Sequence, residues 1–363
     1  MTDNTDEQLL GHFDRRESLE YLLENYEAPK TEAVTLDEYL AWDDARRAEF
    51  NERRCARLAD GAVVGTPELQ TLRKEVRRAS VFANRAVGRT GVICTGLPTM
   101  GKTTAAFYAM LDAFHRHVTK YPDWRRDGHV PVVYIEVSAG STAKAVMGRI
   151  LHFLGVDCPD KMTMEERSQV VSAQLTKART SLFVIDEMQN LSRLNNGHFE
   201  SAQSIKNLLN GIRAVPLYVG INLHESSLMN GALGEQFAAR SVLVKFDRLG
   251  YDTPEERRLW AQVLRAFEPQ LGLLAQKPKD IMALDDYLWH RTQGSIGALS
   301  RLLTNAALDL IDAGEPERER ITKEVLAGIA LDLVTEREVG NIATPRKSTA
   351  KKSTMTKGKS IAA

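Results

Sequence analysis

Five short apolar runs occupy the middle of the chain, and amphipathic segments separate them. The runs cover residues 91–95, 130–137, 181–186, 215–221 and 241–246. Strands that are apolar throughout and alternate with helices are typical of a parallel sheet that is covered on both faces. The sequence therefore predicts an α/β fold with a five-stranded parallel sheet and helices on both of its faces.

Helical patterns fill the intervals between these strands and continue after the last one. Between the strands, helical spacing of apolar residues covers residues 103–118, 144–154, 165–178 and 200–212. After the last strand it covers residues 254–267, 280–292, 296–313 and 322–333. Because the strand pattern stops at residue 246, we expect a small all-α domain to follow the α/β domain. No internal repeat is visible.

The chain divides into four parts on this basis. Residues 1–60 form an acidic, mostly helical extension, with a long charged helix over residues 43–58. Residues 61–250 form the α/β domain, and residues 251–335 form the all-α domain. Residues 336–363 are predicted to be a disordered basic tail.

Composition places the chain among ordinary globular proteins. Of its 363 residues, 26% are charged and 43% belong to the hydrophobic set, and the formal net charge is zero. No apolar run approaches the roughly 18 residues that a membrane helix needs, and the first residues lack a signal-peptide pattern. We therefore expect a cytoplasmic protein without a membrane partner. Three widely spaced cysteines, without metal-ligand spacing, are expected to be reduced thiols.

Although the net charge is zero, the two ends of the chain carry charge of opposite sign. Acids outnumber bases in residues 1–60, whereas the last 23 residues contain six Lys and Arg and no acid. These cations are Arg346, Lys347, Lys351, Lys352, Lys357 and Lys359. Such a tail is either a solvated end or an arm for nucleic acid, and composition does not decide between the two.

The first strand leads directly into a phosphate-binding motif. Residues 96–103 read Gly-Leu-Pro-Thr-Met-Gly-Lys-Thr, which matches G-x-x-x-x-G-K-[ST] (Walker A). Glycines in this motif let backbone N–H groups turn toward phosphate oxygens, the lysine reaches the β- and γ-phosphates, and the last hydroxyl ligates Mg²⁺. The helix that follows directs its N-terminus at the anion. We predict that ATP is held by Gly96, Thr99, Met100, Gly101, Lys102, Thr103 and Thr104.

The third strand ends in two acids. Asp186 and Glu187 follow the apolar run at residues 182–185, which is a Walker B pattern. We predict that Asp186 holds Mg²⁺ together with Thr103, and that Glu187 acts as the general base toward water. The plain alternative is a buried strand with two exposed acids at its end.

This order of motifs resembles the AAA+ ATPases. One strand lies between the Walker A and Walker B strands, and the glutamate argues against Ras-like and kinase-like P-loop proteins. The resemblance implies that Asn222 is the sensor 1 residue, which orients the attacking water. It also implies that Arg240 is an arginine finger acting on the nucleotide of a neighbouring subunit. The alternatives are a turn asparagine and a surface arginine.

The all-α domain then corresponds to the AAA+ lid. Many AAA+ proteins carry a sensor 2 arginine about three residues after the first glycine of the turn at residues 294–297, and here that position is Gly297. Arg301, one helical turn later, is the candidate substitute, and an ordinary exposed arginine is an equal alternative.

Within the AAA+ proteins, the chain resembles the TniB/TnsC group of transposition regulators, relatives of IstB. The resemblance covers residues 60–333. It rests on Thr66-Pro67, on residues 186–191, 203–209 and 237–240, and on the turn at 294–297 followed by Ala306-Ala307. It implies ATP-dependent rings or filaments of this chain on duplex DNA, and a transposase or other recombination protein as partner. Lys144, after the second strand, is then a candidate contact to DNA phosphates, and an exposed lysine at a helix start is the alternative.

The first hypothesis is therefore an ATP-hydrolysing, oligomeric regulator of DNA transposition that binds duplex DNA without sequence specificity. A second is an oligomerising signalling or scaffold ATPase, for example in anti-phage defence. A third is a helicase loader or replication initiator of related fold.

Overall fold

A sheet of five parallel strands lies at the centre of the molecule. The computed structural model describes residues 13–28, 30–61, 63–83, 90–191, 212–226, 239–332 and 335–336. The strands are β1 (Gly91–Gly96), β2 (Val132–Glu136), β3 (Leu182–Asp186), β4 (Val215–Gly220) and β5 (Ser241–Phe246). Their order is β2-β3-β4-β1-β5, and every neighbouring pair is parallel. All strands therefore end at one edge, the carboxyl edge, and begin at the opposite one, the amino edge.

Burial explains why the strands are apolar throughout. Every residue of β1 and β3 is buried, because helices cover both faces of the inner sheet. The outer strand β5 differs, since it pairs on one side only and leaves Leu243 47% exposed. The predicted α/β fold and its five strands are confirmed, and each boundary agrees within two residues.

Helices surround the sheet and extend beyond it at both chain ends. In chain order they are α1 (Arg16–Asn25), α2 (Leu36–Leu40), α3 (Asp44–Ala59), α4 (Pro67–Phe82), α5 (Lys102–Lys120), α6 (Ala143–Phe153), α7 (Met164–Lys177), α8 (Pro254–Leu271), α9 (Asp285–Thr292), α10 (Ile296–Asp312) and α11 (Lys323–Gly328). Several begin with local capping. Thr66 caps α4 ahead of a proline, and Thr163 forms a capping box with Glu166 at α7.

The helices α8 to α11 form a second hydrophobic core, to which α10 contributes Leu299, Leu302 and Leu303. Three boundaries differ from prediction by four residues or more. The helix predicted over residues 254–267 continues to Leu271. The helix predicted over residues 280–292 begins at Asp285, after a 3₁₀ turn at Met282–Leu284. The helix predicted over residues 322–333 ends at Gly328, and Ile329 is extended. There the Ile329 carbonyl accepts from Arg291 and the Leu331 N–H donates to Glu336, so side chains take the place of the next helical turn.

The N-terminal helices pack on both cores. Leu19 and Leu23 of α1 lie in the core of the sheet, where α1 contacts α5. Helix α3 contacts α10, and Leu58 belongs to the second core. Arg54 of α3 forms a buried ion pair with Glu319, at 2.6 Å from Nη1 to Oε2. The segment before residue 60 thus connects the sheet to the C-terminal helices.

Several predicted features lie outside the described residues. They are the basic tail at 341–363, the family segments at 203–209 and 237–238, and the helix predicted over residues 200–212 except its last residue. Within the described ranges, the helices are all too short or too polar to cross a bilayer.

Candidate nucleotide site

The phosphate loop connects β1 to α5 at the carboxyl edge, and its conformation depends on glycine at both ends. A Cβ on Gly96 would collide with the carbonyl oxygen of Phe246 on β5. Gly101 precedes α5 with φ +78°, a left-handed conformation that glycine adopts without strain. Within the loop, Thr99 also has positive φ (61°), and Met100 is buried. The backbone is therefore fixed in a tight turn over the N-terminus of α5.

Lys102 lies under this loop. Its side chain is buried, and Nζ donates to the Leu97 carbonyl at 2.6 Å. Burial lowers the pKa of the Lys102 ammonium, and the nearby acids Asp186 and Glu187 act in the opposite direction. A cation is thus held inside the loop with its hydrogens directed at the loop's own acceptors. Phosphate oxygens offer stronger, charged acceptors in the same place.

Asp186 is the centre of the hydrogen bonds below the loop. Its Oδ2 accepts from the Thr103 hydroxyl at 3.2 Å and from the Tyr134 hydroxyl at 3.0 Å. Its Oδ1 accepts from the Glu187 N–H at 2.7 Å. Burial and the Asp186 carboxylate raise the pKa of Tyr134, so this phenol remains a donor. The predicted pair Thr103 and Asp186 is therefore brought together, and Tyr134 fixes the carboxylate between them.

Glu187 has a partner that sequence reasoning did not assign. Its backbone is left-handed (φ 55°), and its Oε2 accepts from Nε2 of Gln189. The other end of the Gln189 amide accepts from the Ile221 N–H at 2.9 Å, just after β4. Gln189 is buried on the 3₁₀ turn Met188–Leu191. A polar residue on a buried turn directly after an Asp-Glu pair is the signal that could have indicated this contact.

Asn222 follows β4 at the same edge. It has left-handed backbone angles (φ 47°, ψ 37°) and precedes a short 3₁₀ turn. The next residue, Leu223, donates its N–H to Thr95 Oγ1 of β1 at 2.8 Å. Because β4 lies between β1 and β3, Asn222 emerges between the phosphate loop and the Asp186-Glu187 pair.

The C-terminal helices close the site from the other side. The Gly297 N–H donates to the Thr99 carbonyl at 2.9 Å, and Ser295 Oγ lies 3.2 Å from Thr99 Oγ1. A Cβ on Gly297 would collide with that carbonyl, which explains why no arginine stands at this position. Sequence reasoning did not identify Ser295 as part of the site.

A cavity of about 440 Å³ lies beside this junction. Most of its lining comes from residues 58–66, from the loop with the first turn of α5, and from the helix α10, and Leu69 and Phe246 complete it. Thr104 and Arg301 are both on its wall. Its place next to the phosphate loop suits the nucleoside part of a nucleotide.

Arg240 is not part of this assembly. It lies at the amino edge, where its carbonyl accepts from the Gly91 N–H at 3.0 Å, and its side chain is exposed. The whole length of β1 separates it from the phosphate loop of the same chain. Lys144, the candidate DNA contact, is half-buried at the start of α6 and donates to the Asp160 carbonyl at 3.0 Å.

Comparison with known proteins agrees with this geometry. The AAA domain family matches residues 85–222, from before β1 to Asn222. The fold is that of an AAA+ P-loop domain. The match leaves β5 and the helices after it outside. No curated protein sequence matches the chain significantly.

Solved structures extend the AAA+ likeness beyond this region. The Orc1 protein of Aeropyrum pernix, solved in complex with DNA, superposes with a TM-score of 0.55 at 15% identity, over 79% of this chain and 69% of its own. The Orc2 protein of the same organism, solved with ADPNP and ADP, gives a TM-score of 0.51 at 15% identity, over 72% and 68%. At this identity the likeness is one of fold.

Proposed function

We propose that this AAA+ domain binds ATP with Mg²⁺ and hydrolyses it to ADP and phosphate. The observation that carries the proposal is the convergence of Lys102, Thr103, Asp186 and Glu187 at one end of the parallel sheet, under one loop. Acids and a buried cation at such short range favour binding of a charged ligand over a purely structural role.

The residues below the loop fit a magnesium ion. Thr103 Oγ1 and Asp186 Oδ2 are oxygen ligands of the kind that Mg²⁺ prefers, they lie 3.2 Å apart, and Tyr134 orients the carboxylate. Thr103 and Asp186 would hold the ion, directly or through water. When bound, Mg²⁺ neutralises charge on the phosphates and on the leaving diphosphate.

The remaining residues of the site have different roles in hydrolysis. Lys102 and the N–H groups of the loop hold the terminal phosphates, and Asn222 orients a water molecule. Glu187 accepts a proton from that water as its oxygen bonds to the γ-phosphorus, and the bond to ADP breaks. Gln189 keeps the Glu187 carboxylate in place through its amide.

We propose further that ATP drives assembly of this chain on duplex DNA and that the assembly regulates DNA transposition. The motifs shared with the TniB/TnsC group support this, and a DNA-bound protein of the same fold is compatible with it. In such an assembly Arg240 serves the site of a neighbouring copy, and a transposase is the client. The likeness to Orc proteins equally suits a replication initiator, which shares ATP-dependent DNA binding but has a different client.

Three variants test the proposal by phosphate release, calorimetry and DNA binding. Lys102→Ala should lose nucleotide binding at the phosphate loop, because the cation under the loop is gone. Glu187→Gln should bind ATP but hydrolyse it about 10²-fold more slowly, because the proton acceptor is lost. Glu165→Gln is the matched control, because Glu165 is exposed on α7, and it should behave as the parent does.

The same proteins test the DNA function. Parent and Glu187→Gln should bind a random-sequence duplex far better with ATP than with ADP, and affinity should fall steeply with salt. Deleting residues 341–363 should make the salt dependence shallower and keep the ATP requirement. Parental turnover by Glu187→Gln contradicts the catalytic assignment. Absence of DNA binding at low salt with ATP contradicts the transposition proposal and favours the signalling ATPase.

A further inference from the structure

A second cavity lies at the amino edge of the sheet, the opposite edge from the phosphate loop. Its volume is about 520 Å³. The ends of α4, α5 and α7 surround it, and the first residues of β3 and β4 form its floor. None of the residues assigned above to nucleotide binding or catalysis lines this cavity, which we call the amino-edge cavity.

Its charge is entirely of one sign. Arg116, Lys120, Arg179 and Arg213 line it, and among the described lining residues none is Asp or Glu. Elsewhere in the described ranges many arginines pair with carboxylates, as Arg73 does with Asp112 at 2.6 Å, but no such ion pair involves these four cations. Positive charges that converge on a concave surface repel one another and produce a strong positive potential there. A bound anion reduces this repulsion.

Uncharged donors complete the lining. Thr180 is 6% exposed, and its hydroxyl has no hydrogen-bond partner among the described residues. A buried hydroxyl without a partner is costly, so this group is available to a ligand. Beside it, Ser181 Oγ lies 2.7 Å from His117 Nδ1, and His117 Nε2 lies 3.1 Å from His129 Nδ1. These hydrogen bonds connect Ser181 and His117, which line the cavity, to His129.

The His117 imidazole contributes no positive charge to the cavity near neutral pH. Burial, followed by the neighbouring His129 and by Lys120 and Arg179, lowers the pKa of His117 to about 4. The positive charge of the cavity therefore comes from its arginines and lysine.

Two of the cations are held in place. The Arg179 guanidinium lies 5.3 Å from the centre of the Tyr121 ring, and the Lys120 ammonium lies 5.2 Å from it.

Arg179 follows the C-cap of α7 with φ 50°, a position where glycine is preferred. The backbone at this position would accept glycine, which makes a clean variant available.

We propose that the amino-edge cavity binds a small anion carrying several phosphate groups. An arginine guanidinium can donate two parallel hydrogen bonds to two phosphate oxygens, and the free hydroxyl of Thr180 adds a neutral donor. Without a carboxylate among the described lining residues, the cavity disfavours cationic and zwitterionic ligands. A recessed cavity suits a compact ligand better than the backbone of a DNA duplex, which runs along open surfaces.

Calorimetry with inorganic triphosphate tests the proposal, in full-length protein without magnesium. The Lys102→Ala background removes the phosphate loop as a competing site. We expect one triphosphate per chain in this background and two in the parent. Adding Lys120→Gln and Arg179→Gly should weaken binding in the background at least tenfold. The control pair Arg258→Gln and Arg265→Gln, exposed on α8, removes the same charge and should change affinity less than twofold.

Thr180→Val separates a binding role from a structural one. The substitution keeps shape and removes a hydroxyl that has no partner, so thermal stability should be unchanged or higher while triphosphate binds several-fold more weakly. Unaltered affinity in the Lys120→Gln, Arg179→Gly protein, or no binding in the background, overturns the proposal. Loss of duplex-DNA affinity in that protein without triphosphate binding also overturns it and assigns the cations to DNA. If the parent also binds one triphosphate, the phosphate-loop assignment fails while the cavity result stands.

Discussion

At the scale of single residues, Gln189 connects the acid of the candidate site to the neighbouring strand. One end of its amide donates to Glu187, and the other accepts from the Ile221 N–H. Ile221 is followed directly by Asn222, the proposed water-orienting residue. A substitution here therefore affects both the position of the proposed proton acceptor and the end of β4, without removing a group that touches ATP. We regard Gln189 as a positioning residue.

Gln189→Leu should lower kcat of ATP hydrolysis about tenfold and leave KM for ATP within about twofold, because the Glu187 carboxylate loses its orientation while the phosphate loop is intact. A tenfold effect corresponds to about 1.4 kcal/mol of barrier. Steady-state kinetics measures it. In the Glu187→Gln background, Gln189→Leu should add little, since it acts through that carboxylate. Equal kcat in parent and variant, or fully additive losses, would contradict the role.

At the scale of elements, the ion pair between Arg54 and Glu319 fastens α3 to the C-terminal helices. Both side chains are almost fully buried (4% and 2% exposed). Glu319 accepts two hydrogen bonds from Arg54 and one from the Leu274 N–H at 3.0 Å. Because the helices α8 to α11 also contact the phosphate loop through Gly297, this pair joins the N-terminal extension to the element that closes the site.

Arg54→Met should lower the free energy of unfolding by about 3–5 kcal/mol, because it leaves the Glu319 carboxylate buried without its counter-ion. Combining it with Glu319→Leu should restore a large part of the loss. Arg53→Met is the matched control, because Arg53 pairs with Glu32 on the surface, where the two side chains are 48% and 51% exposed, and it should cost much less than Arg54→Met. Denaturant titration measures all three. Equal losses for Arg53→Met and Arg54→Met would be inconsistent with a fastening role.

At the scale of the whole molecule, the decisive fact is the separation of Arg240 from the phosphate loop. The two lie at opposite edges of one sheet, so an arginine finger at this position can serve only a second copy. If Arg240 acts as proposed, the functional ATPase unit is a pair of adjacent chains, and hydrolysis should depend on protein concentration.

Mixing two inactive variants tests this arrangement. Arg240→Ala protomers should bind ATP without hydrolysing it, and Lys102→Ala protomers should not bind it at the phosphate loop. Mixtures should regain part of the parental phosphate release, because an intact pocket can meet an intact arginine. Light scattering confirms assembly in each mixture. Mixtures that assemble but stay inactive at every ratio would remove Arg240 from the mechanism.

The sequence by itself determined the features that depend on a few neighbouring residues. The strands follow from uninterrupted apolar runs, since a buried parallel strand has no polar face. The Walker A loop follows from glycines and a lysine at fixed spacing, and the pairing of Thr103 with Asp186 follows from strand ends meeting at one edge. These constraints are local or topological, so they can be inferred from one amino-acid sequence.

Tertiary structure alone decided the contacts between distant segments. Gly297 stands where an arginine was expected because its backbone meets the Thr99 carbonyl, almost 200 residues away in the chain. The helix predicted over residues 322–333 stops at Gly328 because Arg291 and Glu336 take its backbone hydrogen bonds. The amino-edge cavity collects cations from α5, from the residue after the α7 C-cap and from the residues before β4, and these cations do not form a sequence motif. Apolar periodicity records that a face is buried, but it does not record which segment covers that face or which side chains meet across the gap.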